Sequence, residues 1–324
     1  MLIKTLISLV IFALIYFGIA VGLIFIGKPK EPDQTGRRIA FDELVIDYSR
    51  LPKLNTFTAR NNTSLSYRVY PSKSSNALIL LHGSGWHSRY FLPLAEFISS
   101  EGSAQVYTPD LRGHGSAPER RGDVDYIGQL EDDLADFIAS IRKDNPGIKK
   151  LIVGGHSSGG GLAIRFAGSR YGKQADAYLL LSPFLKYNAP TMRPNSGEWA
   201  RPYTQRIIGL TLLNNVGIHR LDYLTAMEFN MPQEVRDGTE TLAYSHRLNT
   251  SYAPRDYKKD LKAATQPILV VAGTKDEAFI ADQFEPVFSS YTNAQVRLLP
   301  GVTHMGLVVG PEIRPVVKEW LEGP

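Results

Sequence analysis

The sequence predicts an α/β fold, a mostly parallel sheet covered on both faces by helices. Short, largely apolar runs at residues 77–81, 105–108, 151–154, 177–181, 267–271 and 295–299 alternate with amphipathic stretches. Continuous apolar strands between helices are what a sheet buried on both faces requires, whereas a sheet with one wet face shows strict alternation. The second observation is size: 324 residues, 43% hydrophobic and 21% charged, suffice for one large domain with insertions. The third is a gap of more than 80 residues between the fourth and fifth of these runs, too long for a single crossover.

Taken in order, residues 5–27 carry no charge and are dominated by Leu, Ile, Val and Phe. As a helix they reach about 35 Å, enough to cross a bilayer. The apolar stretch is longer than that of a cleaved signal, and no Ala-x-Ala-like site precedes Lys28, which favours an uncleaved anchor at 1–27. Lys4 stands on one side and Lys28, Lys30, Arg37 and Arg38 on the other, so the positive-inside rule puts the following domain on the cytoplasmic face. Residues 28–40, with Pro29, Pro32 and Gly36, read as a linker, and the globular domain occupies 41–324.

Within that domain 41–47, 56–60 and 65–70 read as strands, the last two joined by a hairpin turn at Asn61-Asn62-Thr63. Ile127, Leu130, Leu134, Phe137, Ile138 and Ile141 fall at helical spacing. The long gap is an inserted subdomain at about 184–264. It holds a nearly uncharged run at 207–218 and the aromatics Trp199, Tyr203, Tyr223, Phe229, Tyr244 and Tyr252, which either pack the insert itself or form a lid over an acyl groove.

Composition removes several classes of function. With no cysteine there is no disulfide, thiolate metal site or cysteine nucleophile, and the seven histidines show no ligand spacing, so no metal is expected. The net charge of +4 comes from scattered basic residues, which disfavours nucleic acid as a partner.

Four loops carry the chemistry. Gly155-His156-Ser157-Ser158-Gly159 joins an apolar run to a small-residue stretch, placing Ser157 on a sharp strand-to-helix turn that only small neighbours tolerate. His82-Gly83-Ser84-Gly85 closes an earlier strand, where the backbone N–H groups of Ser84 and Ser158 are expected to form an oxyanion hole. Asp276, with Glu277 as its neighbouring alternative, follows a late strand and is the expected acid. His304 follows the last strand and is the expected general base. The chain order Ser157, Asp276, His304 is that of the strand-turn-helix serine hydrolases. No role is expected of His82, His87, His114, His156, His219 or His246 beyond support.

These motifs, together with Trp86-His87-Ser88-Arg89-Tyr90 and Asp110-Leu111-Arg112-Gly113-His114-Gly115-Ser116, resemble the monoacylglycerol lipase and lysophospholipase branch of the α/β-hydrolase fold, of serine aminopeptidase S33 type, from residue 41 to the end. The resemblance implies a serine esterase without cofactor and a cap inserted after the sixth strand. Ser158 replaces a common Met and Trp86 a common acidic residue, which leaves the substrate open. The expectation is a membrane-anchored ester hydrolase acting on a small substrate, a lipid with one acyl chain. The alternatives are an amidase of iminopeptidase type, using Glu198, Asp222, Glu228 or Glu234 to bind an amine, and a non-catalytic ligand-binding membrane protein.

Overall fold

The computed structural model describes residues 2–29, 38–194 and 199–323; Lys30, Pro32, Gly36, Arg37 and Glu198, invoked above, lie outside them. The apolar N-terminal segment is one helix, α1 (Leu2–Ile26). The domain then runs β1 (Asn55–Thr58), β2 (Ser64–Tyr70), β3 (Asn76–Leu81), α2 (Leu92–Ser100), β4 (Gln105–Pro109), α3 (Gln129–Asp144), β5 (Lys150–His156), α4 (Ser158–Ala167) and β6 (Ala177–Leu181). The insert follows with β7 (Ala200–Pro202), α5 (Thr204–Asn215), β8 (Thr225–Phe229), β9 (Ala243–Ser245), α6 (His246–Tyr252) and α7 (Tyr257–Ala263). The chain returns through β10 (Ile268–Gly273), α8 (Phe284–Ser289), β11 (Gln295–Leu299), α9 (Gly306–Val309) and α10 (Ile313–Glu322).

Eight strands form the main sheet in the order β1-β2-β4-β3-β5-β6-β10-β11. β2 is antiparallel to both β1 and β4, and every other pair is parallel, so this is the α/β-hydrolase fold. The predicted hairpin is present, with Asn62 at φ 65° in its turn, a conformation Asn tolerates better than most residues. Apolar strand residues such as Leu78, Ile79, Leu80, Val153, Leu179 and Val270 are fully buried, each worth about 1.5–3 kcal/mol relative to exposure.

Register brings the predicted loops together. Leu81 pairs with Gly155, His156 with Leu181, Leu181 with Val271, and Gly273 with Leu299. The loops after β3, β5, β6, β10 and β11 therefore leave the sheet at one edge, where open α/β sheets bind ligands.

Two sequence expectations are corrected. Residues 41–47 form no strand: Phe41–Leu44 is a 3₁₀ turn. Its apolar residues Phe41 and Leu44 sit three apart and are both buried, the spacing of a 3₁₀ helix, while Val45 is exposed. Ile127 lies ahead of α3, because Gly128, at φ 103°, breaks the backbone there before the helix starts.

The insert forms a small antiparallel sheet in the order β7-β8-β9. Trp199, Phe229, Tyr244 and Tyr252 pack in sequence, with neighbouring ring centroids 4.6–5.7 Å apart. These aromatics pack the insert and also join it to the main domain, Trp199 standing 4.7 Å from the Phe41 ring and Tyr252 5.6 Å from the His114 ring. The apolar run does something else: Leu210 and Leu213 of α5 bury themselves against Ala20 and Ile24 of α1.

Candidate active site

Ser157 sits between β5 and α4 at φ 55°, ψ −120°, a strained conformation for a residue with a side chain. Its neighbours must be small. A Cβ on Gly155 would lie 2.3 Å from Gly159 C, and one on Gly159 would lie 2.1 Å from the Leu81 carbonyl oxygen. The turn is held open by backbone bonds, Ser157 N–H to Leu181 O at 2.9 Å and Phe184 N–H to Ser157 O at 2.9 Å.

Asp276 and His304 meet as expected. His304 Nδ1 donates to Asp276 Oδ2 at 2.9 Å, and Asp276 Oδ1 accepts the N–H groups of Ala278 and Phe279 at 2.8 and 2.9 Å. Burial alone would raise the Asp276 carboxyl, but the charge and hydrogen bond of His304 hold it below the usual carboxylate range. Burial alone would lower His304, yet the adjoining Asp276 carboxylate, with Glu277 further off, holds the imidazole above its ordinary value. Glu277 does not face the ring: its carboxylate accepts the His304 backbone N–H at 2.9 Å and the Ala40 N–H at 3.3 Å.

Ser157 and His304 line one cavity with Ser84, Trp86, Ile39, Leu44 and Trp199. Among the described residues no hydrogen bond joins the Ser157 hydroxyl to His304; such bonds often close only when substrate is bound. The cavity holds about 20 Å³, room for a water but not for an acyl chain. Two larger clefts, of about 50 and 420 Å³, are lined by none of Ser157, Asp276 and His304.

Ser84 and Ser158 are also brought together, the Ser84 hydroxyl donating to Ser158 Oγ at 2.7 Å. Ser158 opens α4, so its N–H lies at the positive end of that helix. Two relays flank Ser84. Gly83 N–H donates to the Tyr90 hydroxyl at 2.7 Å, Tyr90 donates to His156 Nδ1 at 3.2 Å, and His156 Nε2–H donates to the His304 carbonyl at 3.1 Å. Gly85 N–H donates to the Tyr244 hydroxyl at 2.7 Å, and Tyr244 donates to His114 Nε2 at 2.6 Å. Burial, then a neighbouring histidine, holds His114 and His156 well below their ordinary value, so both rings are neutral and can accept.

His156 supports the site as its sequence position suggests, whereas the supporting roles of Tyr90, Tyr244 and Glu277 have no local sequence signal. His82 does the same kind of work, accepting Leu111 N–H at 3.0 Å and donating to the Gly83 carbonyl at 2.9 Å. Of the acids considered for amine binding, Asp222 holds Asn214 and His219, Glu228 accepts from Tyr203, and Glu234 is exposed. None of these three lines the Ser157 cavity.

Comparison with known proteins agrees with this architecture. The family model described as serine aminopeptidase, S33, matches residues 72–308. The chain is 26% identical over 292 residues to the uncharacterized protein YnbC of Escherichia coli K12, covering 86% of this chain and 47% of that protein. It is 30% identical over 145 residues to human monoglyceride lipase, covering 44% of this chain and 45% of the lipase. The matches thus span about half the length of these relatives. A soluble variant of Saccharomyces cerevisiae monoglyceride lipase, in complex with a substrate analog, has the same fold at TM-score 0.67 and 18% identity, covering 86% of this chain and 97% of that one. With that family model matched across most of its length, the chain belongs to the serine aminopeptidase S33 family of α/β-hydrolases, in its monoglyceride lipase-like branch.

Proposed function

We propose that the protein is a membrane-anchored serine hydrolase cleaving carboxylic esters of lipids with one acyl chain, such as monoacylglycerols or lysophospholipids. Ser157 is the nucleophile, His304 its general base and Asp276 the group that fixes the His304 tautomer. Residues 1–27 are the anchor, 28–40 the linker and 41–324 the hydrolase domain with a cap at about 184–264, on the cytoplasmic side. The observation carrying this reading is Ser157, strained at φ 55°, sharing a cavity with a histidine whose far nitrogen is held by a buried carboxylate.

In this mechanism His304 Nε2 takes the Ser157 proton as the oxygen attacks the ester carbonyl. The resulting oxyanion is held by the N–H groups of Ser84 and Ser158, worth about 3–4 kcal/mol each. Collapse of the intermediate expels the alcohol, which leaves with the proton from His304. Water, deprotonated by the same imidazole, then attacks the acyl-enzyme and releases the acid. Nothing beyond this chain and water enters the balance.

The test uses the full-length chain in detergent micelles. A fluorophosphonate should label wild type and not Ser157→Ala, and ester hydrolysis should fall by a factor on the order of 10⁶ in that variant. An ester panel graded in acyl length should then favour long single chains. Turnover of aminoacyl amides without ester turnover would instead indicate the amidase. A folded protein that takes no label would indicate a ligand-binding protein.

A further inference from the structure

α1 is not a bare tether. Its less exposed positions Ala13, Tyr16, Ala20 and Ile24, with Gly27 just after its end, form one stripe at helical spacing, and Arg206, Gly209, Leu210 and Leu213 form the matching stripe on α5. The two helices run antiparallel. Arg206, early in α5, donates to the Ile24 carbonyl at 3.1 Å, and the Tyr16 hydroxyl donates to the Leu212 carbonyl at 2.7 Å. Gly209 is the point of closest approach, where a Cβ would stand 2.5 Å from the Ala20 carbonyl oxygen. Small residues at such a crossing are how helices pack in lipid.

Length decides what this pairing means. The uncharged part of α1 beyond the paired stripe, residues 5–12, reaches about 12 Å, against a hydrocarbon core of about 30 Å. If α1 crosses the membrane, roughly twelve more residues, to about Ile24, must lie in hydrocarbon. Those are the turns that carry α5. The outward residues suit lipid: Ile208 on α5 is 47% exposed, and Val216 and Ile218 at its tip are 51% and 38% exposed.

Several of the tip's polar groups are internally bonded. Val216 and Ile218 N–H both donate to the Leu213 carbonyl, and the Asn214 amide donates to Leu210 O and Asp222 Oδ1. Exposed His219, Arg220 and Tyr223 follow the turn. Amphipathic side chains of this kind reach back toward phosphate level.

We propose that α1 and α5 form one antiparallel membrane-embedded pair, which places the cap tip around Val216 and Ile218 among the acyl chains of the leaflet facing the domain. This rests on the anchor reading above. Trp199, one wall of the Ser157 cavity, lies a few residues before α5 in the chain.

The chain has no cysteine, so single-cysteine variants of the full-length protein can carry an environment-sensitive NBD fluorophore. Probes at Leu9→Cys, Val216→Cys and Ile218→Cys are compared with Lys143→Cys, which lies near the start of β5 at the opposite end of the sheet. In vesicles of phosphatidylcholine and phosphatidylglycerol containing doxyl-labelled lipid, the first three should be blue-shifted and quenched by the doxyl groups. The Lys143 probe should be quenched only by aqueous iodide. Adding Gly209→Leu should move the Val216 probe to water and leave Leu9 in lipid. A Leu9 probe in lipid with Val216 and Ile218 in water overturns the embedded pair and leaves the anchor standing. A Leu9 probe in water overturns the anchor, and the pair with it.

Discussion

At the level of single residues, the site depends on opposing effects on two buried groups. Burial disfavours charge on both Asp276 and His304, yet each stabilises the other's charged form across 2.9 Å, leaving Asp276 below and His304 above its ordinary value. The signs follow. The Asp276 contribution to stability is present above its unfolded value near 3.8 and is lost as pH falls; that of His304 is present below its unfolded value near 6.5 and is lost as pH rises past its folded value. A general base must be neutral, so kcat/KM should rise with pH through a midpoint above 6.5. Asp276→Asn removes the main force raising His304, so that midpoint should move to lower pH while the plateau rate drops by roughly 10⁴. A pH–rate profile of the two proteins on a soluble ester checks this, and an unmoved midpoint would assign the limb to another group.

At the level of elements, the oxyanion loop is held by tyrosines from two different places. Tyr90 follows the loop directly, whereas Tyr244 belongs to β9 of the insert and comes from 159 residues away to accept the Gly85 N–H. The cap therefore positions the loop that would hold the oxyanion. Tyr244→Phe would leave the buried Gly85 N–H and His114 Nε2 without this partner, at about 1–3 kcal/mol each. kcat should fall about tenfold or more with KM little changed, and fluorophosphonate labelling should slow in parallel. Tyr203→Phe, which removes a cap hydroxyl bound to Glu228, should do neither. Equal kcat in wild type and Tyr244→Phe, at matched melting temperature, would reduce Tyr244 to simple packing.

This relay also marks where sequence reading stops. The inner strands were legible because a strand buried on both faces is almost wholly apolar, and three of the four loops because they follow β3, β5 and β10 of this kind; β11, ahead of His304, is a half-exposed edge strand. Phe41 and Leu44 misled because a short apolar stretch fits a strand as well as a 3₁₀ turn. The roles of Tyr244 and Glu277 depend on partners brought close only by the fold, and no local spacing announces them. The run at 207–218 was visibly apolar, but its partner, α1, lies some 180 residues earlier, so what it buries against could not be read from its own period.

At the level of the whole molecule, that pairing makes the N-terminal helix a structural part of the cap. Leu210 and Leu213 are buried in a small cluster separate from the main core, and the cluster's other buried members, Ala20 and Ile24, both come from α1. Removing residues 2–27 would uncover the two leucines, each worth about 1.5–3 kcal/mol when fully buried. It would also remove the bonds from Tyr16 to the Leu212 carbonyl and from Arg206 to the Ile24 carbonyl. The eight-stranded sheet, whose core contains no α1 residue, should stay as it is. Hydrogen exchange in detergent separates the two regions: deletion should speed exchange of the α5 amides by about 10² or more, the factor that roughly 3 kcal/mol of lost local stability implies, and leave β3, β5 and β6 unchanged. Equal exchange of α5 in both proteins would mean that the cap supports its own helix. In that case α1 would serve only to hold the hydrolase at the membrane.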